Sequence, residues 1–124
     1  MKFPAALAVI IVAGLHFGFL ALEMFYWDAP LGRKVFSMTP EQSAQTAMLA
    51  ANQGLYNGFL AAGLLWGLVA RKSDVVIFFL LCVIIAGIFG ALTAKPTILL
   101  VQAAPGAIAL GLTLLARKRR SEIL

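Results

Sequence analysis

Four long apolar stretches, Pro4–Trp27, Ala47–Ala70, Val75–Ala94 and Thr97–Ala116, take up most of this chain of 124 residues. Each is close to the roughly 20 residues a helix needs to cross a hydrocarbon core about 30 Å thick. No water reaches that core, so backbone N–H and C=O groups must pair within the segment, and such a stretch is a helix. The expected fold is all-α: one integral membrane domain over residues 1–124, built as a four-transmembrane-helix up-down bundle. Composition points the same way. Charged residues make up 12% of the chain and hydrophobic ones 62%, whereas soluble domains carry about 25% charge.

The connections set the topology. They are nineteen, four and two residues long, so only the first has room for structure of its own. Arg71-Lys72-Ser73-Asp74 reads as a tight turn, with Ser73 or Asp74 available to cap the third helix. Lys95-Pro96 reads as another, with Pro96 opening the fourth helix. Short links make the last three spans sequential antiparallel neighbours. In the long first connection, Thr39-Pro40-Glu41-Gln42 is a helix-start signal: Thr39 caps, Pro40 suits the first helical position, and Gln42 completes a capping box. The second helix is therefore expected to begin near Pro40. Before it, Leu31, Val35, Phe36 and Met38 alternate with Arg33, Lys34 and Ser37, a pattern that fits a short interfacial segment. Trp27 marks the end of the first span, where an amphipathic ring is favoured. The first run follows Lys2, but it outlasts a signal-peptide core and no Ala-x-Ala site closes it, so it reads as a retained helix.

Charge gives orientation. The net charge is +5, and four of the ten basic residues form Arg117-Lys118-Arg119-Arg120 directly after the fourth span. Such a cluster anchors a membrane helix in the cytoplasm and attracts anionic lipid headgroups; it is not a nucleic-acid footprint. With both termini inside, Lys2, Arg71, Lys72 and the four tail residues lie inside, against Arg33, Lys34 and Lys95 outside. The bias favours a multi-pass protein of the cytoplasmic (inner) membrane with its N-terminus and C-terminus inside. Cys82, the only cysteine, has no partner for an internal disulfide and reads as a small buried hydrophobe. The pairs Gly14/Gly18, Gly54/Gly58 and Gly63/Gly67 each put two glycines on one helix face. Such faces serve packing within the chain or a homodimer.

Glu23 is the residue that most demands an explanation. A carboxylate inside a span costs roughly 2.5 to 3.5 kcal/mol at a helix centre, so it faces protein or a wet cavity. His16, the only histidine, lies seven residues earlier on the same helix face, about 10 Å away along the axis. Asn52, Gln53, Tyr56 and Asn57 crowd the outer half of the second span, and Gln102 enters the fourth from the same side. At about 1.5 Å per residue, Glu23, Gln53 and Gln102 all fall roughly 6 to 9 Å below their outer span ends, with His16 and Asn57 deeper. The inner halves of the spans are almost wholly apolar. This asymmetry predicts a polar pocket opening outward, with these seven residues as its candidate ligand-binding set.

The stretch Ala50-Ala51-Asn52-Gln53-Gly54-Leu55-Tyr56-Asn57-Gly58-Phe59-Leu60-Ala61, with Leu22-Glu23-Met24-Phe25-Tyr26-Trp27, resembles a family of small four-helix bacterial membrane proteins of unknown function. Gly32-Arg33-Lys34-Val35-Phe36 and Leu99-Leu100-Val101-Gln102 fit the same family, so the resemblance covers nearly the whole chain. It implies an integral membrane protein and transfers no activity, substrate or cofactor.

Three readings of function follow from the residues. The first is a site that binds or transports a small polar or cationic molecule, with Glu23 giving the charge, the amides and Tyr56 the orientation, and His16 a deeper partner. The second is a membrane enzyme on a lipid-soluble substrate using His16 and Glu23 as acid and base, bridged by substrate or water because they cannot touch. The third is a non-catalytic subunit of a membrane complex. No catalytic residue is assigned and no cofactor is identified. One histidine, one cysteine in another span and one nearby carboxylate fall short of a closed metal site.

Overall fold

The computed structural model describes residues 1–123, which form helices joined by short turns, with no β-strand among them. In chain order these are α1 (Phe3–Phe25), α2 (Pro30–Val35), α3 (Pro40–Val69), α4 (Ser73–Thr93), a π-helical turn (Leu99–Ala103), and α5 (Ala104–Ser121). Three segments are long and apolar enough to cross a membrane: α1, α4, and the continuous run Leu99–Ser121. The second expected span lies in α3 and is not among them. At 30 residues α3 is long enough, but Asn52, Gln53 and Asn57 dilute its apolar character.

The chain divides into two compact units, Met1–Gly14 with Leu60–Leu124, and Leu15–Phe59. The first is organised around an apolar core of Val9, Val12, Leu64, Val76, Leu80 and Val83. Its helices run antiparallel: Gly63 packs on Phe79 and Gly67 on Val76, while Gly90 meets Ile98, Gly87 meets Ala103 and Gly106 meets Val83. Glycine at these crossings lets the backbones approach. By contrast, Gly14 and Gly18 have nothing within 4 Å of where a Cβ would stand. Cys82 is half-buried on α4 and free. At the α3–α4 turn, Arg71 takes a positive φ of 56°, and the Lys72 ammonium lies 5.8 Å from the centre of the Trp66 ring.

The last helix departs from the expected uninterrupted span. Pro105 has no N–H, and its ring opposes the carbonyl four residues back, that of Val101. The chain accommodates it by widening one turn: the Ala104 N–H reaches back five residues to the Leu99 carbonyl. Gln102 therefore lies in a π-helical turn, a feature found often at functional sites.

The second unit begins with the end of α1 and closes through α2 onto α3. The expected interfacial segment is the short helix α2, and it ends in a Schellman-like turn. Phe36 closes the helix, Ser37 takes a left-handed φ of 53°, and the Met38 N–H reaches the Arg33 carbonyl at 2.9 Å. Such a turn satisfies carbonyls left open at a helix end, and it normally holds glycine or asparagine. The capping box on α3 is formed in both directions: the Gln42 N–H donates to Thr39 Oγ1 at 3.2 Å, and the Thr39 N–H donates to Gln42 Oε1 at 2.9 Å.

Candidate functional site

In the unit Leu15–Phe59, α3 presents a stripe of buried positions at Ser43, Ala50, Gly54 and Gly58. Their spacing of seven, four and four residues keeps them on one helix face. That face meets α1. A Cβ on Gly54 would lie 3.1 Å from Glu23 Cβ and 3.2 Å from the Leu20 carbonyl oxygen, and one on Gly58 would strike the Leu20 side chain. Asn57 flanks this stripe by one residue. From there its Nδ2 donates to Glu23 Oε1 at 2.6 Å, across 34 residues of sequence. The glycines bring the helices close enough for this short amide to reach the carboxylate.

Both partners are half-buried. Among the described residues, every buried side-chain nitrogen or oxygen has a hydrogen-bond partner. Glu23 Oε2 and Asn57 Oδ1 carry no such bond, and neither is fully buried. With the Asn57 amide nitrogen turned toward the carboxylate, two acceptor oxygens remain without a partner, beside the second N–H of that nitrogen. An ionised carboxylate accepts only, and the free side of this asparagine also accepts.

The other candidates are placed differently. His16 is fully buried, its ring edge-on to Phe19 with centroids 5.2 Å apart. Asn52, Gln53 and Tyr56 are exposed on α3, off the buried stripe. Tyr56 lies beside Phe59, with ring centroids 6.2 Å apart. Gln102 belongs to the other unit, half-buried in the π-helical turn. Glu23 and Asn57 are thus the two candidates that meet within this unit. Neither lines the clefts at the α1 start and the α5 end. Among the described residues, no three His, Cys, Asp or Glu side chains converge as metal ligands do.

A second polar cluster escaped the sequence reading. Ser43, fully buried, donates from Oγ to Asp28 Oδ1 at 2.6 Å, and Arg33 Nη1 reaches the same oxygen at 3.0 Å. Arg33 therefore pairs with Asp28, not with Glu23. Trp27 Nε1 donates to Thr46 Oγ1 at 2.9 Å, and the Thr46 hydroxyl in turn donates to the Gln42 carbonyl at 2.7 Å. The Trp27 ring lies against Phe36, centroids 4.7 Å apart. These contacts fasten the end of α1 and the start of α3 one turn beyond Glu23. The ion pair is partly exposed and contributes little by itself, on the order of 0–1 kcal/mol. The fully buried Ser43 hydroxyl, which has to be satisfied, makes the more specific link.

Helix length and composition make this chain a multi-pass membrane protein, with a half-buried carboxylate–amide pair between two of its helices. Residues 10–114 match the family described as protein of unknown function (DUF1304), and the chain belongs to that family. It is 29% identical over 105 residues to the uncharacterized protein YpaA of Lactococcus lactis subsp. lactis (strain IL1403), an alignment covering 82% of this chain and 88% of that one. No solved structure matches the chain.

Proposed function

We propose that the chain is a cytoplasmic-membrane protein that binds a small cation bearing N–H donors, such as a primary ammonium, at Glu23 and Asn57. The observation that carries this reading is the open oxygen pair. One anionic and one neutral acceptor, held together by the Asn57–Glu23 bond, suit a group that donates at least two hydrogen bonds and carries positive charge. A carboxylate inside an apolar helix is costly, and a bound cation offsets that cost. The exposed Asn52, Gln53 and Tyr56 lie on the same stretch of α3 and would meet the polar remainder of a larger ligand.

The test uses the full chain in mild detergent with two probes of like shape, benzylammonium and benzyltrimethylammonium. Benzylammonium is expected to bind, and benzyltrimethylammonium, which has no N–H, is expected to bind at least about tenfold more weakly. Glu23→Gln is expected to abolish the preference without unfolding the protein. Equal binding of the two probes, or a Glu23→Gln variant that still discriminates, would sink the reading.

In this proposal α3 also crosses the bilayer, giving four spans in one domain with both termini in the cytoplasm. Support comes from the seven basic residues at one set of span ends against three at the other. The Glu23–Asn57 bond also satisfies a polar group that would otherwise make α3 a poor membrane helix. A single cysteine at Lys95→Cys, in a Cys82→Ala background, is expected to react with an impermeant thiol reagent added outside intact cells. Labelling only after the cells are broken would reverse the orientation.

A further inference from the structure

The strongest unassigned feature lies in the unit Met1–Gly14 with Leu60–Leu124, at the α1 start and the α5 end. A cleft of about 150 Å³ opens there between the two helices. A wider one of about 370 Å³ adjoins it, and the two share Lys2, Ala116 and Arg119. The inner cleft is walled by Pro4, Ala5, Leu112 and Leu115. The outer one adds Arg120 and Ile123. No acidic side chain lines either, and among the described residues Lys2, Arg119 and Arg120 form no ion pair. The nearest acid in sequence, Glu122, is exposed and lines neither cleft.

The bland account of Arg119 and Arg120 is that they complement the negative end of the α5 dipole. It does not cover Lys2, which stands one residue before another helix, α1. Lys2 stands at the positive end of α1, a helix of 23 residues, where cations are disfavoured. Three cations, Lys2 at the start of α1 and Arg119 and Arg120 on α5, line two adjoining clefts, form no ion pair among the described residues and stand beside leucine and alanine walls, which makes a site with two chemistries. Its mouth suits a phosphate, through charge-assisted hydrogen bonds with an arginine fork and a lysine point charge. Its wall suits an alkyl chain.

We propose that this cleft holds an anionic glycerophospholipid: the phosphate lies between Lys2 and Arg119, and an acyl chain lies along Leu112 and Leu115. The cationic lining disfavours headgroups that carry their own ammonium, so phosphatidylglycerol is preferred to phosphatidylcholine. The assignment rests on the membrane reading of the chain and is independent of Glu23. The position of the cleft at the apolar-to-basic boundary of α5 places it at headgroup depth, where each nearby basic residue adds attraction to anionic lipid.

The experiment is retention of dioleoyl-phosphatidylglycerol by the full chain in mild detergent, read by native mass spectrometry, with dioleoyl-phosphatidylcholine in parallel. The phosphatidylglycerol is expected to be retained and the phosphatidylcholine lost. Lys2→Gln/Arg119→Gln is expected to weaken retention by about tenfold or more. Arg117→Gln/Lys118→Gln removes the same charge from residues that do not line the cleft, and is expected to leave retention near wild type. Lys2→Arg/Arg119→Lys keeps the charges and is expected to retain lipid, which separates loss of a site from loss of fold. Equal loss in the two glutamine pairs would reduce the effect to general tail charge and overturn the cleft. Retention of both lipids alike would overturn the headgroup preference. Displacement of the lipid by millimolar inorganic phosphate, or binding of glycerol phosphate as strong as that of the lipid, would assign the cleft to a soluble anion instead.

Discussion

Asn57→Leu is expected to lower the stability of the protein by about 2 kcal/mol, read as a reduced midpoint of thermal unfolding in detergent. The bond itself is not the reason. An interhelical hydrogen bond in a membrane contributes only about 0.6 kcal/mol on average, because the separated helices find other partners. The larger effect comes from what is left behind: a half-buried carboxylate that has lost its hydrogen-bond donor and cannot leave α1. Removing one partner of a buried pair costs more than removing both. Glu23→Leu/Asn57→Leu is therefore expected to recover most of the lost stability, and Glu23→Gln, which keeps an acceptor opposite Asn57, to lose less than about 1 kcal/mol. The double variant separates fold from function: it should be stable and bind no benzylammonium. An Asn57→Leu protein as stable as wild type would mean that water replaces the amide at no cost, and the pair would then be no more than a surface contact.

That pair also marks where the sequence stops being legible. Local signals carry far. The capping box at Thr39 and Gln42 involves residues three apart, and both its hydrogen bonds are present in the structure. Glu23 declares itself because one carboxylate in an apolar run has a known cost. Periodicity also shows that Asn52 shares a face with Tyr56, and Gln53 with Asn57. It does not show how α3 is rotated about its own axis against α1, and that rotation decides which polar residues meet the carboxylate. Packing at Gly54 and Gly58 sets it, and one residue of angular offset brings Asn57 to Glu23 while leaving Asn52 and Tyr56 exposed. Asp28, in the turn after α1, and Ser43, on α3, are fifteen residues apart, with no repeat to connect them. The widened turn at Leu99–Ala103 did have a local signal in Pro105, six residues inside a run otherwise apolar enough to be a plain span.

The widened turn leads to a second large stability effect, at Gly87. Gly87→Leu should cost about 3 kcal/mol or more, whereas Gly14→Leu should change stability by less than about 0.5 kcal/mol. A Cβ on Gly87 would stand 2.6 Å from the Ala103 backbone nitrogen and 3.0 Å from its Cα. Those atoms belong to a helix backbone, so no rotamer change relieves the clash. Either α4 moves away from the last helix or the turn at Leu99–Ala103 is rebuilt. On α1, Gly14 has open space where its Cβ would be, so the same substitution meets no neighbour. Thermal unfolding of both variants in one detergent compares like with like, and equal midpoints would refute the close α4 contact. Ala103 directly follows Gln102 in the widened turn, so a clash at Gly87 acts on the segment that holds Gln102 without touching that side chain. The turn that accommodates Pro105 is thus also the segment that runs so close to α4 that only glycine fits at position 87.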